Sequence, residues 1–394
     1  MSLYAQHGYG KSNKIDEGLR TKSLSGIILS PKNEKLENLS NYVDFISGEF
    51  PDAEILFDPQ LYVAAFQGVK KEGNLKSYKY YPSSEVGKNY LSVPKNIRKI
   101  VDDCLQYQSD IGVNKFISPS ILMDNFDSRW SQISLSLASE AIDQMDKPSD
   151  ELLLTICVDE NAFKNLELVK DYLDAISLFD VKGFYILIDR INTDTPNDID
   201  PDILINIMYF CHNLALINGY EVIVGYCDLI GLPLYCTGIR GIASGWHNTL
   251  RRFSRQDYVP RTGGKQPNKR YLSMPLLARV QINPQIVMLN ETERLDSILS
   301  NMSYDGFLLA DITGADWSSI INCLHNWEVL SNIMQELDSH LAVDDKIDIL
   351  IAKLGNAHKL AYNLTKSVFN ESMIQYSYLK IWAHALKEFR RMVD

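Results

Sequence analysis

The sequence lacks the short motifs that identify an enzyme reaction directly. It contains no GxSxG nucleophile turn, no phosphate-binding loop of the GxxxxGKS or GxxxxGKT type, and no GxGxxG loop after a strand. Its histidines form none of the HxH, HExxH or HxxxH patterns that commonly hold a metal ion. These absences exclude the best-known nucleophile, nucleotide and metalloprotease signatures, so any site has to be inferred from position in the fold.

Cysteine is scarce, and long hydrophobic runs are missing. The chain has six cysteines in 394 residues, with no CxxC or CxxH spacing, which predicts reduced, buried thiols. No stretch reaches the roughly 18–20 unbroken apolar residues of a membrane span. The first twenty residues also lack the apolar core of a secretory signal. We therefore expect a cytoplasmic protein that has no membrane partner.

The bulk composition is that of a globular protein with an acidic surface. Hydrophobic residues make up 45% and charged residues 23% of the chain, and the formal net charge is −11. This composition provides enough apolar material for a sizeable core. The acidity argues against a protein that coats nucleic acid with its whole surface, but it leaves room for a local basic channel.

Short apolar runs that do not alternate with polar residues recur along the chain, each ending in a polar residue. They lie at 26–29, 53–57, 115–117, 151–158, 183–188, 220–225 and 241–243. Such runs are typical of parallel strands buried on both faces, and amphipathic helices separate them. Seven strands with a plausible eighth predict an α/β fold of the (β/α)₈ TIM-barrel type. The eighth strand is expected at 271–274 or, with slight preference, at 306–310. The alternative is an open doubly wound sheet.

The predicted barrel spans residues 23–316, between two segments of different character. Residues 1–22 are polar and are expected to form a flexible N-terminus. Residues 317–394 carry apolar stripes at helical spacing and predict a C-terminal helical extension that packs on the barrel, on a protein partner or on a second copy. Within the barrel, the tyrosine-rich loop 60–92 predicts either a lid with stacking surfaces or a surface excursion.

Acidic residues follow several predicted strands directly, where parallel α/β folds place their active sites. Asp58, Asp159 and Asp189 are the candidate catalytic residues, acting as acid, base or nucleophile. The structural alternative is helix capping, which Asp commonly provides. It fits Asp58 and Asp189 less well, because neither residue directly precedes a predicted helix.

A basic segment, residues 237–271, interrupts the acidic chain with eight Lys and Arg residues against one acid. Arginine forks and the amides of a helix start suit an anionic ligand, phosphate above all. The predicted anion-binding residues are Ser244, Gly245, His247, Arg251, Arg252 and Arg255, with Tyr226 from a neighbouring strand end. The alternative is a solvated basic surface, and residues 261–270 are expected to form a mobile loop.

A metal site made by Asp189, Asp228 and His247 is an alternative that the lone histidine does not favour, so no cofactor is expected. The leading functional prediction is a hydrolase or group transferase that acts on a phosphorylated or nucleotide-like substrate through strand-end carboxylates. The alternative is a non-catalytic barrel subunit for protein assembly or nucleic-acid recognition. The expected partners are accordingly an anionic small molecule or a nucleic acid.

Overall fold

The centre of the structure is a sheet of parallel strands that curls into a nearly closed barrel. The computed structural model describes residues 2–68, 70–83, 86–192, 195, 197–260, 268–340, 342–369 and 374–393. The strands of the barrel are β1 (Ser2–Gln6), β2 (Gly26–Leu29), β3 (Glu54–Phe57), β4 (Phe116–Ile117), β5 (Leu122–Met123), β6 (Leu152–Asp159), β7 (Gly183–Asp189), β8 (Glu221–Val224) and β9 (Gly241–Ser244).

The strand order is β3-β2-β1-β9-β8-β7-β6-β4, and β5 also pairs with β6. Because β4 and β5 pair with successive stretches of β6, the nine segments fill eight barrel positions. The two ends of the order, β3 and β4, contact each other. This arrangement confirms the predicted (β/α)₈ barrel and excludes the open doubly wound alternative.

The strand β1 corrects the expectation of a flexible N-terminus. All five of its residues are buried, and it pairs with β2 on one side and β9 on the other. The run at 241–244 is therefore the eighth barrel position and not the seventh. Of the two expected eighth strands, residues 271–274 contribute to an outer antiparallel ribbon of β10 (Arg270–Ser273) and β11 (Ala278–Gln281), and residues 306–310 belong to a helix.

Helices surround the barrel, and side-chain caps begin several of them. In the described residues the α-helices are α1 (Lys14–Arg20), α2 (Leu36–Glu49), α3 (Lys88–Leu91), α4 (Pro94–Asp110), α5 (Arg129–Asp143), α6 (Pro148–Glu151), α7 (Leu166–Ile176), α8 (Pro201–His212), α9 (Gly231–Tyr235), α10 (Val287–Glu291), α11 (Asp305–Ala310), α12 (Ser319–Asp338), α13 (Val343–Ser367) and α14 (Ser377–Val393). Ser128, Asn165, Asp200 and Ser318 accept hydrogen bonds from backbone N–H groups in the first turns of α5, α7, α8 and α12. These bonds satisfy donors that a helix start leaves open.

The three long C-terminal helices share the core of the barrel. Trp327 of α12 and Trp382 of α14 are buried in the same hydrophobic cluster as the barrel strands. Trp327 Nε1 donates to the carbonyl oxygen of Ser244 in β9 (3.0 Å). Among the described residues, no helix combines the length and apolar composition needed to cross a membrane.

The tyrosine-rich loop is folded against the barrel. Tyr62, Tyr78, Tyr80 and Tyr81 are buried, whereas Tyr90 is 43% exposed. Tyr80 Oη donates to the carbonyl oxygen of Pro59 (2.8 Å). The expectation of an exposed stacking surface is therefore wrong for four of the five rings, because they supply core packing. Residues 69, 84 and 85 of this loop lie outside the described residues.

Ion pairs close the amino-terminal end of the barrel. Glu54 and Glu221 are the first residues of β3 and β8, and Lys115 and Arg240 directly precede β4 and β9. Each of the two carboxylates pairs with both cations, with Lys115–Glu221 and Arg240–Glu54 distances of 2.8 Å. Lys182 adds a third cation to Glu221 at 3.4 Å. Every charge in this cluster therefore has an opposite charge beside it.

Candidate ligand site at the mouth of the barrel

The carboxyl-terminal ends of β2, β3 and β8 are linked by one side chain, that of Gln60. Its amide oxygen accepts hydrogen bonds from Ser30 Oγ (3.0 Å) and from the backbone N–H of Lys32 (3.1 Å), and its amide nitrogen donates to Tyr226 Oη (3.1 Å). Gln60 and Tyr226 both have left-handed backbones, with φ of 54° and 52°. This conformation costs a non-glycine residue about 1–2 kcal/mol and is often found at functional sites.

Asp58, the first residue after β3, lies completely buried beneath Gln60. Its carboxylate accepts hydrogen bonds from the Gln60 backbone N–H (3.1 Å), Tyr62 Oη (2.9 Å) and Tyr185 Oη (3.5 Å). Burial raises the pKa of Asp58 to about 7, although these hydrogen bonds lower it. The carboxyl group can therefore gain or lose a proton near neutral pH.

Three tyrosine hydroxyls form a hydrogen-bonded chain that begins at Asp58. Tyr62 Oη donates to Asp58 (2.9 Å), and the hydroxyls of Tyr226 and Tyr258 lie within hydrogen-bonding reach of Tyr62, whose oxygen remains free to accept a hydrogen bond. Burial raises the pKa of all three, so they stay protonated at neutral pH. Because a hydroxyl both donates and accepts, such a chain can pass a proton along its length.

The chain ends in a cleft of about 250 Å³ at the mouth of the barrel. Tyr226 and Tyr258 line this cleft together with Lys32, Lys71 and His247. Of the residues predicted to bind an anion, the cleft thus contains Tyr226 and His247. We call it the mouth cleft.

Two lysines give the mouth cleft a positive charge. Lys32 Nζ lies 4.3 Å from the centre of the Tyr258 ring. Burial lowers the pKa of Lys32, Lys71 lowers it further, and Asp257 opposes both. Asp257 is itself paired with Arg252 at 3.3 Å. In the part of the chain that the structure describes, neither lysine ammonium has a carboxylate partner, which leaves the cleft electrostatically suited to an anion.

Asp159 and Asp189 lie apart from Asp58, on either side of Arg255. The Arg255 guanidinium pairs with both carboxylates, and its backbone N–H donates to Asp189 (2.7 Å). Burial raises the pKa of Asp189, while Arg255 lowers it. Asp159 also caps the turn after β6 by accepting from the Asn161 backbone N–H (2.9 Å). Arg255 is therefore neutralised by two carboxylates and is not the free cation that the sequence predicted.

Arg251 and Arg252 are buried behind the mouth cleft and do not line it. Arg251 Nε donates to the carbonyl oxygen of Gly245 (2.7 Å). No α-helix begins at Ser244 or Gly245, and only a single helical turn follows at 248–250. The predicted phosphate cradle of helix-start amides is therefore wrong. Residues 261–267 of the predicted mobile loop lie outside the described residues.

The two carboxylates of the alternative metal site, Asp189 and Asp228, are each paired with an arginine. Asp228 pairs with Arg279 through both carboxylate oxygens, one at 2.9 Å, and Asp189 pairs with Arg255. Among the described residues, no three His, Cys, Asp or Glu side chains form a cluster that could hold a metal ion.

Sequence reasoning missed Lys32, Gln60, Lys71 and Tyr258. The rule that ligands bind at strand ends could have found two of them, because Lys32 follows β2 by three residues and Gln60 follows β3 by three. Lys71 and Tyr258 come from long loops, and no sequence pattern indicates that these loops meet.

Comparisons with known proteins identify no family for this chain. No family model matches the chain, and no curated protein matches it. The crystal structure of dihydrodipicolinate synthase from Oceanobacillus iheyensis is similar over 100% of this chain and 95% of that chain, with 10% sequence identity and a TM-score of 0.33.

The prediction of a hydrolase or transferase for phosphorylated substrates is wrong. The geometry of the charged residues gives the physical reason for the correction. Arg255 and two of the three predicted catalytic carboxylates neutralise one another, and Arg251 is buried. The observations behind the nucleic-acid alternative fail as well, because Arg251, Arg252 and most of the tyrosines are buried and Arg255 is paired with two carboxylates.

Proposed function

We propose that the protein is an enzyme that binds a small organic anion in the mouth cleft and exchanges a proton with it. The observation that carries this proposal is the hydroxyl chain from Tyr226 and Tyr258, in the cleft, through Tyr62 to Asp58. The reaction class is the removal of a proton from a carbon atom beside a carbonyl group, or its return, as isomerases and lyases perform it.

Lys32 and Lys71 are the groups that would bind the anionic part of the ligand. They line one cleft, and neither forms a salt bridge among the described residues; Asp257 also lines the cleft but is paired with Arg252. A carboxylate there would replace the missing negative charge and form charge-assisted hydrogen bonds. The cleft volume of about 250 Å³ is below the range of about 300–1,000 Å³ that is common for drug-sized ligands. A short-chain carboxylic acid fits both the charge and the size.

The proton moves in three linked steps. Ionised Asp58 accepts the proton of Tyr62, Tyr62 accepts that of Tyr226, and Tyr226 takes a proton from the ligand carbon. The net change is one proton transferred from the ligand to Asp58, and the electron pair left on carbon is delocalised onto the carbonyl oxygen. The reverse sequence returns the proton, and no group is oxidised. The Asp58 pKa of about 7 suits both directions at neutral pH.

Hydrogen–deuterium exchange at carbon tests this function without knowledge of the natural product. A panel of short-chain 2-oxo and dicarboxylic acids is incubated with the protein in deuterated water and followed by proton NMR. We expect protein-dependent loss of a C–H signal in at least one acid. Tyr62→Phe breaks the hydroxyl chain and should slow that exchange by about 10²-fold.

Tyr185→Phe is the matched control. Tyr185 also donates to Asp58 (3.5 Å), but it does not line the mouth cleft, so its removal should leave most of the exchange. Equal rates in the Tyr62 and Tyr185 variants would contradict the hydroxyl chain. Binding of the acids without any exchange would contradict an enzymatic role.

A further inference from the structure

Arg251 is a buried cation that forms no salt bridge among the described residues. Its side chain is 7% exposed. Its Nε donates to the carbonyl oxygen of Gly245 (2.7 Å), whereas its Nη2 atom has no hydrogen-bond partner among the described residues. Burial lowers the pKa of Arg251 to about 10, and the nearby Arg279 lowers it further. A buried guanidinium in this state is costly unless an anion accompanies it.

The acidic side chains around Arg251 already have other partners. Asp228 is held by Arg279 through both of its carboxylate oxygens. Glu160 pairs with Arg190 at 2.6 Å, and Asp257 pairs with Arg252 at 3.3 Å. Three acids therefore accompany three other arginines. Asp228 also opposes the lowering of the Arg251 pKa, but Arg251 forms no salt bridge of its own in the described part of the chain.

A small cavity lies beside these arginines. Arg251 lines it together with Arg190 and Arg252, and its remaining wall is mostly apolar, with Ile188 and Val224 among the lining residues. Its volume of about 30 Å³ exceeds the roughly 10–15 Å³ that a single water molecule needs. A monoatomic ion of similar size to water fits this space.

We propose that this cavity binds a single halide-type anion, chloride in ordinary buffers, with the Arg251 guanidinium as its main contact. The anion would supply the negative charge that the surrounding acids do not. Tyr226 lines both this cavity and the mouth cleft and so separates the two. The inference does not rest on the proposed function.

Bromide diffraction tests the site directly on the wild-type protein. Crystals are soaked in sodium bromide, and data are collected at the bromine absorption edge. We expect an anomalous peak inside the cavity, in contact with the Arg251 guanidinium. Anomalous peaks at the protein surface alone, with a water-sized density in the cavity, would overturn the proposal.

Thermal unfolding tests the site in solution. Replacing sodium gluconate with sodium chloride at constant ionic strength should raise the unfolding midpoint by about 2 °C, and the rise should saturate. Arg251→Met should abolish the difference, whereas Arg98→Met, at a side chain that is 76% exposed, should keep it. A chloride effect that persists in Arg251→Met, or its absence from the wild type, would refute the proposal. If Arg251→Met does not fold, the bromide result decides.

Discussion

The two ends of the barrel differ in how their charged side chains are paired. At the amino-terminal end, Glu54 and Glu221 each pair with both Lys115 and Arg240, so every charge is matched within the protein. At the mouth, Arg255 and Arg279 are paired with carboxylates, but the ammonium group of Lys32 lies beside an aromatic ring, and Asp58 is surrounded by hydroxyl and amide groups.

This difference separates a structural end from a functional end. Matched ion pairs leave no charge for a ligand, and they hold the starts of β3 and β8 beside the residues that precede β4 and β9. Unmatched groups at the other end cost folding energy, and barrels place their ligand sites there. The same substitution, lysine to methionine, should therefore affect stability differently at the two ends.

The largest loss of stability is expected from Lys115→Met at the closed end. This change removes a cation from Glu54 and Glu221, whose side chains are 16% and 25% exposed. Breaking a fully buried pair costs about 3–5 kcal/mol, and partial exposure reduces this to about 2–3 kcal/mol. Denaturant unfolding at neutral pH measures it. A loss below about 0.5 kcal/mol would show that the ion pairs do not close the barrel.

A smaller effect, which depends on pH, is expected from Asp58→Asn at the mouth. Burial raises the pKa of Asp58 from 3.8 to about 7, so the folded protein holds this proton more tightly than the unfolded chain does. The stability it contributes is complete below pH 4 and is lost as pH rises through 7, by up to about 1.4 kcal/mol per pH unit.

The measurement is the free energy of unfolding of both proteins at pH 5 and pH 8. Wild type should lose about 2 kcal/mol relative to Asp58→Asn between these values. Parallel curves for the two proteins would mean that Asp58 titrates as an ordinary surface carboxyl group.

The smallest change in stability is expected from Lys32→Met, the counterpart of Lys115→Met at the open end. Burial already disfavours the ammonium group of Lys32, which lies beside the ring of Tyr258 and forms no salt bridge among the described residues. We expect a free energy of unfolding within about 0.5 kcal/mol of wild type, or slightly higher. A loss of stability as large as that of Lys115→Met would show that Lys32 is as important for folding as the ion pairs of the other end, which would contradict the proposed difference between the two ends.

The fold was largely predictable because its longest strands are buried on both faces. β6 and β7 are almost uniformly apolar and end in Asp159 and Asp189, so local composition alone marks them. β1 was missed because its five residues include polar Ser2 and Gln6, and their burial comes from pairing with β2 and β9. Residues 241–244 pair with β1 but are far from it along the chain, so this pairing leaves no local pattern in the sequence.

The sequence predicted where the candidate residues lie in the fold but not which groups they pair with. Asp58, Asp159 and Asp189 do lie at strand ends, as their place after apolar runs indicates. The Arg255 guanidinium reaches Asp159 across 96 residues and Asp189 across 66, and no pattern in the sequence encodes these pairs. The basic segment looked like one patch because its arginines are close in sequence, but their carboxylate partners come from different strands and loops.

The central claim is that the unpaired charges at the mouth serve to bind a ligand. The most direct test is the affinity of the panel acids for the wild type, for Lys32→Met and for Lys35→Met. Lys35 is exposed and lies three residues from Lys32, so its variant controls for loss of one positive charge nearby. We predict, by isothermal titration, a rise in Kd of at least about tenfold for Lys32→Met, equivalent to about 1.4 kcal/mol, and no change for Lys35→Met. Equal affinities of the two variants would contradict the account.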